Sequence, residues 1–279
     1  GEFPRFSGTV ATLITGRRDI AAQSLAKQMK VDETQLTRDM IDAVSGGVPA
    51  IAREVANLSN SENTGKEGMT LQNWFDYIVR EPASERQFSN GTRDDKHVGM
   101  TFQDFCNHPV AINCGLSPAH VCAIRLYTTH AYRFFNNPLR AQQQHPLPMT
   151  VQFLADGLKK LRKQATEESS QARSLWRGFR NLAIVEDFLK SGGTELAPMS
   201  TSTNLAVAAD YSCNGQYGEE ALIMKIKIPE NGFMKSGGCL KWISAFPGED
   251  ERLFGPLTYL RPTNRAVQKE TVEGINFTV

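Results

Sequence analysis

No run of apolar residues in this sequence approaches the roughly 20 that a membrane-crossing helix needs, and Thr9–Thr15 is too short for a signal sequence. Neither sign of charge is in excess. With 31 Lys+Arg against 30 Asp+Glu, nothing points to nucleic acid or to a membrane surface as a partner. The five cysteines, Cys106, Cys114, Cys122, Cys213 and Cys239, are odd in number and show no Cys-x-x-Cys spacing. That pattern argues for free, mostly buried thiols in a reducing compartment. His97, His108, His120, His130 and His145 have no metal-ligand spacing with one another or with acidic residues, so no metal site is expected. Internal repeats and low-complexity segments are likewise missing. Gly1-Glu2-Phe3 reads as a cloning scar, so the natural N-terminus and any targeting signal are expected to be missing with it.

What is present begins with helices. Asp32 can cap a segment whose Leu36, Met40, Ile41 and Val44 share a face, with Gly46-Gly47 as its end. Pro49 suits the first turn of a second helix carrying Ile51, Val55 and Leu58, and Thr70 can cap a third with Leu71, Trp74, Phe75 and Ile78. The polar stretch from Glu81 to Gly99 reads as a linker or exposed loop. Ser117-Pro118 opens a strong helix with Val121, Ile124, Tyr127, Ala131 and Phe135 on one side, stopped by Asn136-Asn137-Pro138. Another follows from about Thr150 to Gln164.

After Ser174 the pattern turns to short strands. Leu175–Arg180 is one, followed by a helix-like stretch around Ile184–Lys190. Pro198–Asn204 holds another, with Ser200 and Ser202 on one face, and Asn204 can cap a short helix over Leu205–Tyr211. Ala221–Ile228 is the clearest strand, and Lys241–Ser244, Arg252–Leu260 and Ile275–Val279 complete a β-rich half. The fold class is therefore α+β, a helical part followed by a strand-dominated core.

The stretch Ser244–Phe254 stands out chemically. Pro247-Gly248 supplies a turn, and on an extended chain after it Glu249 and Glu251 project to one face while Asp250 points to the other. Two carboxylates that close raise one another's pKa.

Three pieces belong together. Arg177 lies on a first strand, Ser200-Thr201-Ser202 on a second, and Glu249-x-Glu251 follows a Phe-Pro-Gly turn. This set resembles the R-S-E class of mono-ADP-ribosyltransferases, the group of cholera-toxin-like and vertebrate arginine-specific enzymes. Leu175–Gly178 is similar to the family's aromatic-Arg-Gly strand, Met199–Asn204 with Val207-Ala208 to its second motif, and Ser244–Pro256 to its third. The helix with Leu126-Tyr127-Thr128 and Asn136–Arg140 is similar to the family's lead-in, and the resemblance covers about Leu116 to Val279. It implies an ADP-ribosyltransferase core of two packed sheets, with residues 4–98 as a helical N-terminal region and 99–279 as the catalytic domain.

The resemblance implies NAD as substrate and a target protein as partner, in host or own cytosol. Glu251 would stabilise the oxocarbenium-like state reached when nicotinamide leaves the ribose, and Ser200 would hold that carboxylate. Arg177 would bind the NAD phosphates, with Gly178, Thr201 and Ser202 also at the cofactor. Glu249 would orient and deprotonate the acceptor, and glutamate here goes with arginine acceptors in the family. A serine or threonine acceptor stays open. Phe246 would face the target. The family's ecto-enzymes are tied by disulfides, which this cysteine pattern does not support, so a cytosolic site of action is expected, as for an effector delivered into host cells. The alternatives are an NAD glycohydrolase toxin and an interaction module with a decayed site.

Overall fold

The computed structural model describes residues 24–43, 47–58, 69–88, 91–163, 173–179, 188, 192–213, 221–229, 237–263, 269–272 and 275–278. The helical part contains α1 (Leu25–Gln28), α2 (Glu33–Asp42), α3 (Gly47–Leu58) and α4 (Leu71–Arg80). A hairpin of β1 (Arg86–Phe88) and β2 (Gly91–Arg93) follows. Next come α5 (Phe102–Cys106), α6 (Pro109–Asn113), α7 (Pro118–Tyr127), α8 (Tyr132–Arg140) and α9 (Pro148–Lys163). The remainder holds β3 (Arg173–Phe179), β4 (Gly193–Glu195), β5 (Met199–Ser202), α10 (Leu205–Cys213) and β6 (Ala221–Ile228). The last elements are β7 (Gly238–Cys239), β8 (Glu251–Phe254), β9 (Thr258–Leu260), β10 (Lys269–Val272) and β11 (Ile275–Thr278). The α+β order expected from the sequence is what is found, and no described helix is long and apolar enough to cross a membrane.

The chain divides into two compact units. One joins residues 24–164 to 238–248, and the other joins 165–237 to 249–279. Gly99 is not a boundary between them, because helices on both sides of it belong to the first unit.

In that unit, side-chain caps start the helices. Asp32 accepts from the Gln35 N–H at 2.7 Å, and Thr70 and Asn73 cap each other's backbone at the head of α4. Leu71, Trp74, Phe75 and Ile78 are all buried, as the spacing predicts. Three expectations fail locally. Ile41 is 65% exposed, so the stripe on α2 is narrower than expected, and Gly47 opens α3 rather than ending α2. Gly46 and Val44 lie outside the described residues. The helix from Ser117 ends at Tyr127, where the hydroxyls of Thr128 and Thr129 turn back onto the carbonyls of Arg125 and Leu126 at 2.8 and 2.7 Å. Its expected continuation is a separate helix, α8, which runs on past Pro138 to Arg140.

The stretch from Glu81 to Gly99 is not a linker. Arg93, Asp94 and His97 are buried, and Tyr77 and Arg125 both donate to the Asp94 carboxylate, Arg125 at 3.0 Å. Burial would raise the Asp94 carboxyl, but bonds from Arg125 and Tyr77 and the nearby His97 ring hold it below the ordinary carboxylate range. The same cluster ties down the segment expected as a strand at Lys241–Ser244. Arg125 donates to the Ile243 carbonyl at 3.1 Å, the Asp94 N–H to the Ala245 carbonyl at 2.7 Å, and the Ala245 N–H to Thr128 at 2.9 Å.

The second unit is built on a sheet that runs β10-β11-β6-β3-β5-β8, with β4 and β9 as a separate antiparallel pair. β3 pairs with β6 over seven residues, Arg173↔Ile228 to Phe179↔Leu222. β5 pairs with β8 from Met199↔Phe254 to Ser202↔Glu251. One face buries Leu175, Met199, Ile228 and Phe254, against which Ile226 and Leu260 of β9 pack. The helix-like stretch around Ile184–Lys190 lies, apart from Phe188, outside the described residues.

Candidate active site

Register decides which side chains meet. Facing residues of an antiparallel pair share a face, so Ser202↔Glu251 and Ser200↔Leu253 put Ser200, Ser202 and Glu251 on one side of the sheet. Glu251 is 6% exposed, with the Ser200 hydroxyl on its face of the sheet. Burial pushes its carboxyl up to about 7, while Ser200 draws it down.

Glu249 is not on the strand. It closes a short 3-10 turn, Pro247–Glu249, and Asp250 after it adopts a left-handed conformation at φ 45°. The alternation expected of an extended Glu249–Glu251 segment therefore does not apply, because the turn begun by Pro247-Gly248 ends only at Asp250. The two carboxylates still lie close enough to interact. Burial raises the Glu249 carboxyl to about 8, the charge of Glu251 adds to this, and a bond from Tyr211 opposes it. Asp250 turns away to accept from the Thr203 hydroxyl.

Serine and threonine side chains of β5 hold the turn and the strand. Ser202 Oγ donates to the Glu249 carbonyl at 2.7 Å, and Thr201 Oγ1 to the Arg252 carbonyl at 2.8 Å. Both residues are buried, so their hydroxyls join β5 to the turn and to β8. Ser200 is the exposed member of the three.

β3 and β5 are joined at the pair Trp176↔Ser202, which places Trp176 and Gly178 on the face of Ser202 and Arg177 on the other. Arg177 meets the group through main chain, its Nη1 donating to the Ser200 carbonyl at 3.3 Å. Its Nη2 donates to Glu195 Oε2 at 3.1 Å, and its guanidinium carbon lies 5.1 Å from the Phe179 ring centre. Glu195 is itself buried, and its second oxygen accepts from the Ala197 N–H at 3.2 Å. Gly178 is fixed by packing. A Cβ there would stand 2.0 Å from the Ala208 carbonyl oxygen and 2.4 Å from Ser212 Oγ, so only glycine lets α10 approach this closely.

Ser200, Ser202, Glu249 and Glu251 are thus brought together, with Arg177 beside Ser200. Phe246 is not an exposed aromatic. It is buried in the first unit with its ring centre 6.0 Å from those of Phe88 and His130, so it does not present itself to a target. Glu195 and Tyr211 escape sequence reasoning. Tyr211 donates to Glu249 Oε1 at 2.9 Å across 38 residues of chain, and Glu195 meets Arg177 from a separate strand pair. No local spacing announces either contact.

Comparison with protein-family models and with curated proteins finds no match. Among solved structures, the chain is similar to the ADP-ribosyltransferase HopU1 of Pseudomonas syringae pv. Tomato DC3000. The two are 16% identical, with 82% of this chain and 95% of that one covered and a TM-score of 0.47. It is also similar to a eukaryotic mono-ADP-ribosyltransferase in complex with NAD, at 13% identity, 85% of each chain covered and a TM-score of 0.46. Exoenzyme S from Pseudomonas aeruginosa, in complex with human 14-3-3 protein beta and bound to carba-NAD, is 20% identical. It covers 63% of this chain and 84% of its own, with a TM-score of 0.42. At such overlaps these are likenesses only, and the chemistry rests on the site's own residues.

Proposed function

We propose that this protein transfers ADP-ribose from NAD to a side chain of a target protein, with release of nicotinamide. The observation that carries the reading is the adjacent carboxylate pair, Glu251 buried on the strand face of Ser200 and Glu249 half-buried at the turn under Tyr211. Heterolysis of the nicotinamide–ribose bond sends the electron pair to the departing pyridine ring and leaves positive charge on the ribose. A carboxylate in a site of low polarity stabilises that charge far more than one in water. Glu251 takes this role, with Ser200 fixing its orientation.

Glu249, at the turn, serves the incoming nucleophile and accepts its proton as the new bond to the ribose forms. An arginine acceptor fits this carboxylate pair, because its guanidinium favours the ionised form of both before it must give up a proton. Arg177, preset by Glu195, offers a planar donor edge to the NAD phosphates. Residues 99–279, expected as the catalytic domain, would then carry the chemistry, and the helices before Gly99 would contribute to choice of target. Action in a reducing cytosol, own or host, is supported by the thiols. The described cysteines Cys106, Cys114, Cys122 and Cys239 are free, and burial pushes the Cys106 thiol up to about 11.

The test is incubation of the full chain with NAD labelled in its adenylate part, with and without a cell lysate. Label on protein supports transfer. Label on free ADP-ribose alone makes the protein an NAD glycohydrolase, and no turnover overturns both readings.

A further inference from the structure

Glu249 has a partner that neither its own turn nor the neighbouring strand supplies. Tyr211 sits near the C-terminal end of α10, and its hydroxyl lies 2.9 Å from Glu249 Oε1. The helix is anchored at both ends. Asn204 Oδ1 accepts from the Ala206 N–H at 2.9 Å at its start. Ser212, next to Tyr211, donates to the carbonyls of Ala208 at 2.9 Å and Leu222 of β6 at 3.3 Å. Gly178 lets this part of the helix lie directly on β3. Tyr211 itself is 44% exposed, while its neighbour Ser212 is 7% exposed and locked to the sheet. Its backbone is rigidly placed while its hydroxyl is extended to the carboxylate.

We propose that Tyr211 is the positioning residue for Glu249, holding one carboxylate oxygen so that the other is presented to the nucleophile. This rests on the role proposed above for Glu249. Backbone and side chain of that residue are then held from two elements, Ser202 Oγ of β5 on the carbonyl and Tyr211 of α10 on the carboxylate. The division has a chemical consequence. Ser202 fixes where the turn sits, whereas a phenol donating to a carboxylate favours the ionised form. The charge that acts on Glu249 from β8 is Glu251, which opposes ionisation, and Asp250 is occupied with Thr203. Tyr211 is the hydrogen-bond donor that works against that repulsion, so it keeps the base available near neutral pH.

The experiment compares wild type with Tyr211→Phe, which removes one oxygen from a half-exposed ring and leaves its packing. Carboxyl-labelled glutamate is introduced, and the Glu249 resonance, assigned with Glu249→Gln, is titrated by NMR. The apparent pKa of Glu249 is expected to rise by about one unit in the variant. Protein labelling should show the same alkaline displacement, with up to about a tenfold loss at pH 7 that shrinks above pH 9. Release of nicotinamide to water should keep its rate within about twofold, since Glu251 is untouched. An unchanged titration overturns the proposal, and so does a uniform loss of labelling at every pH. If wild type neither labels protein nor cleaves NAD, the function proposed above fails, while the titration still decides the contact.

Discussion

Ser202 and Glu249 are separated by 47 residues and joined by one hydrogen bond, Oγ to main-chain carbonyl at 2.7 Å. The same oxygen accepts from the Asn204 N–H at 3.0 Å, so this hydroxyl is used both as donor and as acceptor. The turn is thus fixed through its backbone, and the Glu249 side chain is left for chemistry.

Ser202→Ala leaves that carbonyl and the Asn204 N–H without their partner, a loss of about 1–3 kcal/mol. Urea unfolding should show it, and nicotinamide release and protein labelling should fall together because the turn leads directly into Glu251. A variant as stable and as active as wild type would mean that other contacts hold the turn.

Glu251 should be costly to the fold and necessary to the reaction. Its carboxyl titrates at about 7 in the folded chain against an ordinary 4.5. The folded value is the higher one, so the stability contributed by the neutral form is complete below about pH 4.5 and is lost as pH rises through about 7. At pH 8 that loss is on the order of 3 kcal/mol at most. Glu251→Gln should therefore melt higher than wild type at pH 8 and little differently at pH 5. A lower melting temperature at pH 8 would show that the ionised carboxylate is stabilised by its surroundings.

The pH–rate profile follows from the same pair. Values of kcat/KM for nicotinamide release should rise with pH through an apparent limb near 7–8, the behaviour of the coupled carboxylates in the free protein. In kcat the limb should move to lower pH, because the pyridinium of bound NAD favours the ionised carboxylate. Superimposed limbs would place the titrating group away from the nicotinamide.

Arg177 and Glu195 should behave as one device. Arg177→Lys loses the planar fork and should weaken NAD binding, measured by titration calorimetry, by about tenfold or more. Glu195→Gln leaves the arginine in place but removes the opposing charge at a 3.1 Å contact. It should weaken binding less than Arg177→Lys while destabilising the fold, since an unpaired buried charge costs about 3–5 kcal/mol when its partner is deleted. NAD affinity unchanged in both variants would move the phosphate contact elsewhere.

Much of this was legible in the chain. The helices with strong caps and full stripes, such as that of Leu71, Trp74, Phe75 and Ile78, are legible because local spacing and burial agree. The strands of Arg177 and Ser200 are legible as short runs between turn residues, and that of Glu251 as the strand following the Pro247-Gly248 turn. What escaped depends on distant partners. Arg93-Asp94 reads as a loop until Tyr77 and Arg125 are seen to bury it. Phe246 reads as an exposed loop aromatic until Phe88 and His130 enclose it. Glu249 reads as part of an extended segment until one left-handed residue, Asp250, is seen to end the turn where alternation would begin.

The most direct measurement follows nicotinamide release and protein labelling together, at saturating NAD, on wild type, Glu251→Gln and Glu249→Gln. Glu251→Gln should lose both activities by about two to three decades. Glu249→Gln should lose labelling by about 10²–10⁴-fold, as removal of a general base does, while keeping much of its slow hydrolysis. That separation is what an acceptor-side base and a ribose-side carboxylate predict. Near-normal turnover by Glu251→Gln would contradict the account at its centre, and an equal fall of both activities in Glu249→Gln would contradict its division of labour.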